Sequence, residues 1–140
     1  MIERLSVLLH RYIRLNNPDL FLQLEDEGKM QGYLETKIQS IDLPIESSPG
    51  SQVEELMMDR LTEDLKPSRF HYIKEILEEE FPDSHQEMGS NGLLVFEIIN
   101  MVVHCRETLD RFGFSKENED DRFIRYATIG QLAGYLEANK

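Results

Sequence analysis

The chain is poor in the residues from which catalytic and metal sites are usually assembled. Its single cysteine, Cys105, cannot form an internal disulfide, and its four histidines, His10, His71, His85 and His104, are scattered where a zinc site needs a ligand cluster. There is no glycine-rich phosphate loop and no nucleophile elbow. The longest nearly apolar stretch, Gly92 to Cys105, is broken by Glu97 and Asn100 and is too short to cross a bilayer as a helix. Arg4, Arg11 and Arg14 are interleaved with apolar residues at the start, unlike the separate basic and apolar blocks of a signal peptide, so no leader and no membrane span are expected. Positive charge is also scarce. Fifteen Lys and Arg stand against twenty-seven Asp and Glu, a net charge of -12, which repels phosphate backbones and anionic lipid and disfavours direct nucleic-acid binding. A lone cysteine in an apolar stretch suits a reducing compartment, and the expected location is cytoplasmic.

What the chain does have is helical spacing. At 140 residues, 40% hydrophobic and 30% charged, it has the size and composition of an ordinary single domain spanning 1–140 with one core. Apolar residues recur at three and four, so the fold class is all-α, a single compact multihelical array of about five or six helices. Leu5, Leu8, Leu9, Tyr12 and Ile13 mark a first helix from Ile2 to Leu15. Asn17 as cap and Pro18 at the first helical position start a second, whose apolar stripe reaches Ile41 with a bend or break near Gly28. Asp42 to Gly50, rich in proline and serine, reads as a connecting loop pinned by Leu43 and Ile45. Ser51 and Glu54 have the spacing of a reciprocal capping box for a third helix through Leu65, and Ser68 caps a fourth that closes at Phe81-Pro82. Ser84 to Glu87 repeats a capping pattern, but Gly89 and Gly92 limit that segment to a short turn.

Leu94 to Arg111 reads as the central helix, with Glu97, Asn100, His104, Glu107 and Arg111 forming one narrow polar stripe and apolar residues elsewhere. Gly113 ends it. A last helix from Asp121 carries Ala127, Gly130, Ala133 and Gly134, small residues that permit close helix packing. No internal repeat is expected.

The candidate chemistry is thin. His71 and Glu75 share a helical face without an identifiable third ligand, so they read as a surface pair. His104 and Cys105 are adjacent and point about 100° apart on a helix, which makes Cys105 a core residue more readily than a nucleophile. The acidic runs Glu78-Glu79-Glu80 and Glu117 to Asp121 lack the turn glycine and terminal glutamate of a calcium loop. No cofactor, catalytic residue or metal ligand is therefore expected.

One resemblance is carried by Pro67-Ser68-Arg69-Phe70, by Glu75-Ile76-Leu77-Glu78-Glu79-Glu80-Phe81, and by the final segment Tyr126-Ala127-Thr128-Ile129-Gly130-Gln131-Leu132-Ala133-Gly134-Tyr135-Leu136-Glu137. Together they resemble a small bacterial domain family of unknown function, found in Gram-negative anaerobes as free-standing proteins or as pieces of larger proteins associated with mobile DNA. The resemblance implies a multihelical fold and brings no catalytic residues. The second helix and the Asp42–Gly50 loop depart from it.

The expected function is a non-enzymatic protein-interaction or accessory module linked to mobile genetic elements. Its candidate interaction residues are Arg4, Arg11 and Arg14 on one face and Glu75, Glu78 and Glu79 on another, each able to meet a protein partner of opposite charge. A homodimer through Leu94–Val103 is an alternative use of the apolar helix. The competing class is a small enzyme whose site assembles distant carboxylates with His71 or His104.

Overall fold

A computed structural model describes residues 2–41 and 50–139, and every structural statement below concerns those residues. The expected loop between Asp42 and Gly50, with Leu43 and Ile45, lies outside them apart from Gly50. The described residues are all-helical, 80% of them in helices and none in strands. The elements are α1 (Ile2–Asn16), α2 (Pro18–Asp26), α3 (Met30–Gln39), α4 (Gly50–Leu61), α5 (Arg69–Glu80), α6 (Pro82–Ser90), α7 (Leu94–Arg111) and α8 (Arg122–Ala138), with a 3-10 turn at Glu63–Leu65. Contacts divide them into two compact units, Met1–Lys66 and Pro67–Lys140.

The eight helices exceed the five or six expected from spacing, for two local reasons. Gly28 takes φ +67° and ends α2, separating it from α3. A side chain resists that left-handed backbone, whereas glycine adopts it freely. Pro82–Ser90, expected as a short turn, forms a full helix because Pro82 occupies the first helical position and Asp83 meets its amino end. Ser84 consequently lies inside α6 and caps nothing. The third helix also stops early, at Leu61, and the 3-10 turn carries Leu65 into the core.

Unit 1 is built on α1, which packs on α2, α3 and α4. Leu5, Leu9 and Ile13 have no exposed surface and meet Leu34 and Ile38 of α3 and Met57 and Leu61 of α4 in one apolar cluster. Asn17 precedes α2 as expected, but its side chain makes no cap. It donates instead to the Leu65 carbonyl at 3.3 Å, tying the α1–α2 corner to the 3-10 turn. Glu54 likewise accepts from Arg4 Nε at 2.6 Å, while the Ser51 side chain of the expected capping box lies outside the described set.

Unit 2 is built on α5, which packs on α6, α7 and α8, and α7 packs most extensively on α8. Phe70, Ile73, Ile76 and Leu77 form a second cluster with Ile98, Met101, Val102, Cys105 and Leu109 of α7 and Ile124 and Leu132 of α8. The Ser68 oxygen accepts from His71 N at 3.2 Å, the expected cap of α5. Asp121 caps α8 by accepting from Phe123 N at 2.7 Å. The acidic loop between α7 and α8 is organised by Asn118. Its Oδ1 accepts from Ser115 N at 2.7 Å and its Nδ2 donates to the carbonyls of Phe112 and Gly113, which satisfies groups that the helix end exposes.

The first three helices of the two units repeat one plan. In each, a long helix ends two residues before a proline, a nine-residue helix follows, and a left-handed glycine leads into the next helix. Pro18 and Pro82 are 64 positions apart, as are Asp19 and Asp83, and Gly28 and Gly92. The backbone agrees closely. Asn17 has φ -134° and ψ 60°, Phe81 has φ -133° and ψ 57°, and the residues entering the third helices, Lys29 and Leu93, have φ of -106° and -105°. Hydrogen bonds correspond too: Lys29 N donates to Leu24 O and Leu93 N to Met88 O, both at 2.9 Å. Leu9, Ile13, Leu34 and Ile38 are buried in unit 1, and Ile73, Leu77, Ile98 and Val102 are buried at the matching positions of unit 2. The sequence reading missed this repeat. From Tyr12–Ile41 to Ile76–Cys105, only the Pro-Asp pair and the glycine are identical.

Candidate functional site

The basic candidates all lie on α1. Arg4, Arg11 and Arg14 are exposed, and their spacing places them within about 80° of arc at 100° per residue. Arg4 is held by Glu54, so part of this charge is answered inside unit 1. Arg11 and Arg14 have no ion-pair partner among the described residues. The acidic candidates lie on α5 in unit 2 and are also exposed. Glu79 accepts from Arg125 Nη2 at 2.6 Å, with Glu80 beside it at 3.3 Å. Glu78 Oε1 is 3.4 Å from His85 Nε2, close enough for attraction when the imidazole is protonated but outside hydrogen-bond geometry. Glu75 has no ion pair among the described residues.

The fold brings Glu75 to a small recess of about 160 Å³ with Tyr72, Glu119, Asp120, Asp121 and Arg125. Arg125 links this recess, lined by Glu119 to Asp121, to Glu79 and Glu80 of the other acidic run, a connection that sequence spacing alone does not show. Burial opposes the charge of Arg125, but its bonds to Glu80 and Glu79 outweigh that and hold the guanidinium above its ordinary value. The recess thus gathers Glu75, Glu119, Asp120 and Asp121 around a single guanidinium that is paired with Glu79 and Glu80, and it stays net acidic. Among the described residues, no three His, Cys, Asp or Glu side chains are placed to hold a metal.

The residues of the enzyme alternative occupy different surroundings. His71 is exposed on α5 with its ring edge-on to Phe70, centroids 5.5 Å apart. His104 is exposed on α7, and its ring lies 5.5 Å from that of Tyr135. Tyr135 donates to Glu97 Oε2 at 2.7 Å, so Glu97 and His104, both of the expected polar stripe, meet the carboxyl half of α8. Burial and the Glu97 carboxylate both raise the Tyr135 hydroxyl above the usual phenol, keeping it a donor. Cys105 is fully buried, as its apolar setting implied, and burial pushes its thiol up to about 11.

The apolar surface of α7 departs from expectation. Only the face bearing Ile98, Met101, Val102, Cys105 and Leu109 is buried, so α7 is amphipathic rather than enclosed on all sides. Phe96 and Val103, seven residues apart and therefore on one face, are 59% and 52% exposed, with Val95 at their edge. The glycines of α8 are also not used for close packing. A Cβ added at Gly130 or Gly134 meets nothing within 4 Å. Sequence periodicity identified both helices but could not say which apolar or small positions the neighbouring helices leave uncovered.

These features define an all-α protein of two helical units whose first three helices share one plan. Comparison with protein-family models, curated proteins and solved structures found no match.

Proposed function

We propose that the chain is a protein-interaction module whose unit 2 meets a basic protein partner. The observation that carries this reading is the exposed Phe96/Val103 face of α7. Large apolar side chains in register on a solvent-facing helix lose surface favourably when another protein covers them, about 25 cal/mol for each Å² buried. The repeat strengthens the point. The matching positions of unit 1 are Gln31, Gly32 and Gln39 in place of Val95, Phe96 and Val103, so the plan of the unit does not require apolar residues there. The net charge of -12 selects for a basic partner, with exposed Glu75 available to it and the Arg11/Arg14 face a second, oppositely charged contact. A role as an accessory to mobile DNA is supported by the sequence resemblance alone.

The test is affinity recovery from the source cell under mild salt, comparing the native chain with a Phe96→Glu/Val103→Glu variant. A basic protein is expected with the native chain and lost with the variant. Equal recovery by both would remove the α7 face from the proposal.

A further inference from the structure

A second feature of unit 2 stands independently of the interaction reading. The end of α6, the first turn of α7 and the end of α8 surround a cleft of about 440 Å³, within the size range of sites for small molecules. Its apolar wall is Met88, Leu93 and Leu136, and its carboxylates are Glu87 and Glu97. No basic side chain lines it. Tyr135 reaches in from α8 and donates to Glu97 Oε2, which fixes that carboxylate and leaves Oε1 without a protein hydrogen bond among the described residues. Two helices, α6 and α8, end at the cleft with Asn91 and Asn139 as their C-caps, so their carbonyl ends add negative partial charge. The amino end of α7 also lies there, and its own first-turn Glu97 opposes that positive end.

We propose that this cleft binds a primary alkylammonium group, with the ammonium against Glu97 and Glu87 and the methylene stem along Met88, Leu93 and Leu136. Such a ligand matches both halves of the lining: three donors for carboxylate and amide oxygens, and an apolar stem that leaves water. Unit 1 supplies the contrast. At the position matching Leu93 it has Lys29, whose Nζ lies 3.8 Å from Glu27 Oε1, and at the position matching Glu97 it has Tyr33. Unit 1 thus brings its own ammonium to the corresponding turn, and unit 2 has an acidic cleft without one. A free alkylamine and a lysyl side chain of another protein present the same recognising chemistry.

The experiment is a titration of the full chain followed by amide NMR, with pentylamine, 1-pentanol and a blocked Gly-Lys-Gly peptide as probes. Pentylamine is expected to shift resonances of Met88–Glu97 and Tyr135–Asn139 saturably, and pentanol to bind about tenfold more weakly, the scale of one charge-assisted hydrogen bond. Tighter binding of the peptide than of pentylamine would assign the source to a protein lysine, and the reverse order to a free amine. Glu97→Gln keeps an acceptor for Tyr135 and is expected to weaken pentylamine about tenfold; should its spectrum lose dispersion, Glu87→Gln provides the same reading from the exposed carboxylate. Equal binding of pentanol, unsaturable shifts spread over the other acidic surfaces, or no response would overturn the proposal.

Discussion

Replacing Ile98 with alanine is expected to destabilise the protein by about 2–5 kcal/mol, the range for truncating a fully buried aliphatic side chain. Ile98 has no exposed surface and sits where α7 meets the core built on α5 and α8. Removing three carbons there loses both the transfer energy and the contacts that surrounding side chains cannot restore, because those side chains are locked in two other helices. Urea unfolding read by circular dichroism, together with amide exchange in α5 and α7, measures the loss. A change under 1 kcal/mol would mean that the α7 face assigned to the core is not packed as described.

The second large effect is chemical. Cys105 has no exposed surface, and burial lifts its thiol to about 11 from an ordinary value near 9. The thiolate is the nucleophile, so at pH 8 a shift of about two units leaves roughly a hundredfold less of it, and lack of access slows reaction further. Alkylation by iodoacetamide in the native state is expected to be at least about a hundredfold slower than in urea, with the native rate rising as pH approaches the raised value. The sign is that of a neutral thiol stabilised by burial: ionising it opposes folding, so stability contributed by the neutral form declines as pH climbs above the unfolded value near 9. Rapid alkylation of the native protein at neutral pH would contradict a core position for this residue.

Much of the helical framework was legible because three-and-four spacing, prolines and caps report local preferences directly. Ser68, Asp121 and Gly113 act at the helix ends where their chemistry placed them. The errors arose where one local signal had two outcomes. Asn17 can cap a helix or bond elsewhere, and here the Leu65 carbonyl takes its donor. Pro82 marks the stop after α5 and is equally pre-set to begin α6, and only the first outcome is evident from spacing. The repeat was hidden because a helix face accepts any apolar residue of similar volume, as Ile13 and Leu77 or Leu34 and Ile98 illustrate. Only the junction residues, constrained by backbone geometry, stayed recognisable: the Pro-Asp pair and the glycine ten residues after the proline.

The candidate surfaces were less legible than the helices. Arg4, Arg11, Arg14, Glu75, Glu78 and Glu79 were found by type and spacing, and all are exposed. Their partners were not, since Arg125 reaches Glu79 from more than forty positions away. The same holds for the Glu97–Tyr135 pair, whose members are separated by a helix and a loop. Long-range pairing of this kind leaves no periodic trace. Nor does hydrophobicity alone separate Ile98, fully buried, from Phe96, 59% exposed two residues earlier on the same helix. The comparison between units makes that separation for these residues, since Ile98 is matched by buried Leu34 whereas Phe96 is matched by Gly32 and Val95 and Val103 by Gln31 and Gln39.

That separation is tested most directly by the urea midpoint of a variant carrying the unit 1 character on α7, Val95→Gln, Phe96→Ser and Val103→Gln. Solvent-facing substitutions each change stability by about 0.5 kcal/mol or less, so the folded state should lose no more than about 1.5 kcal/mol in total. A loss in the range expected for Ile98→Ala, about 2–5 kcal/mol or more, would show that these side chains belong to the core and that α7 presents no spare apolar face to a partner.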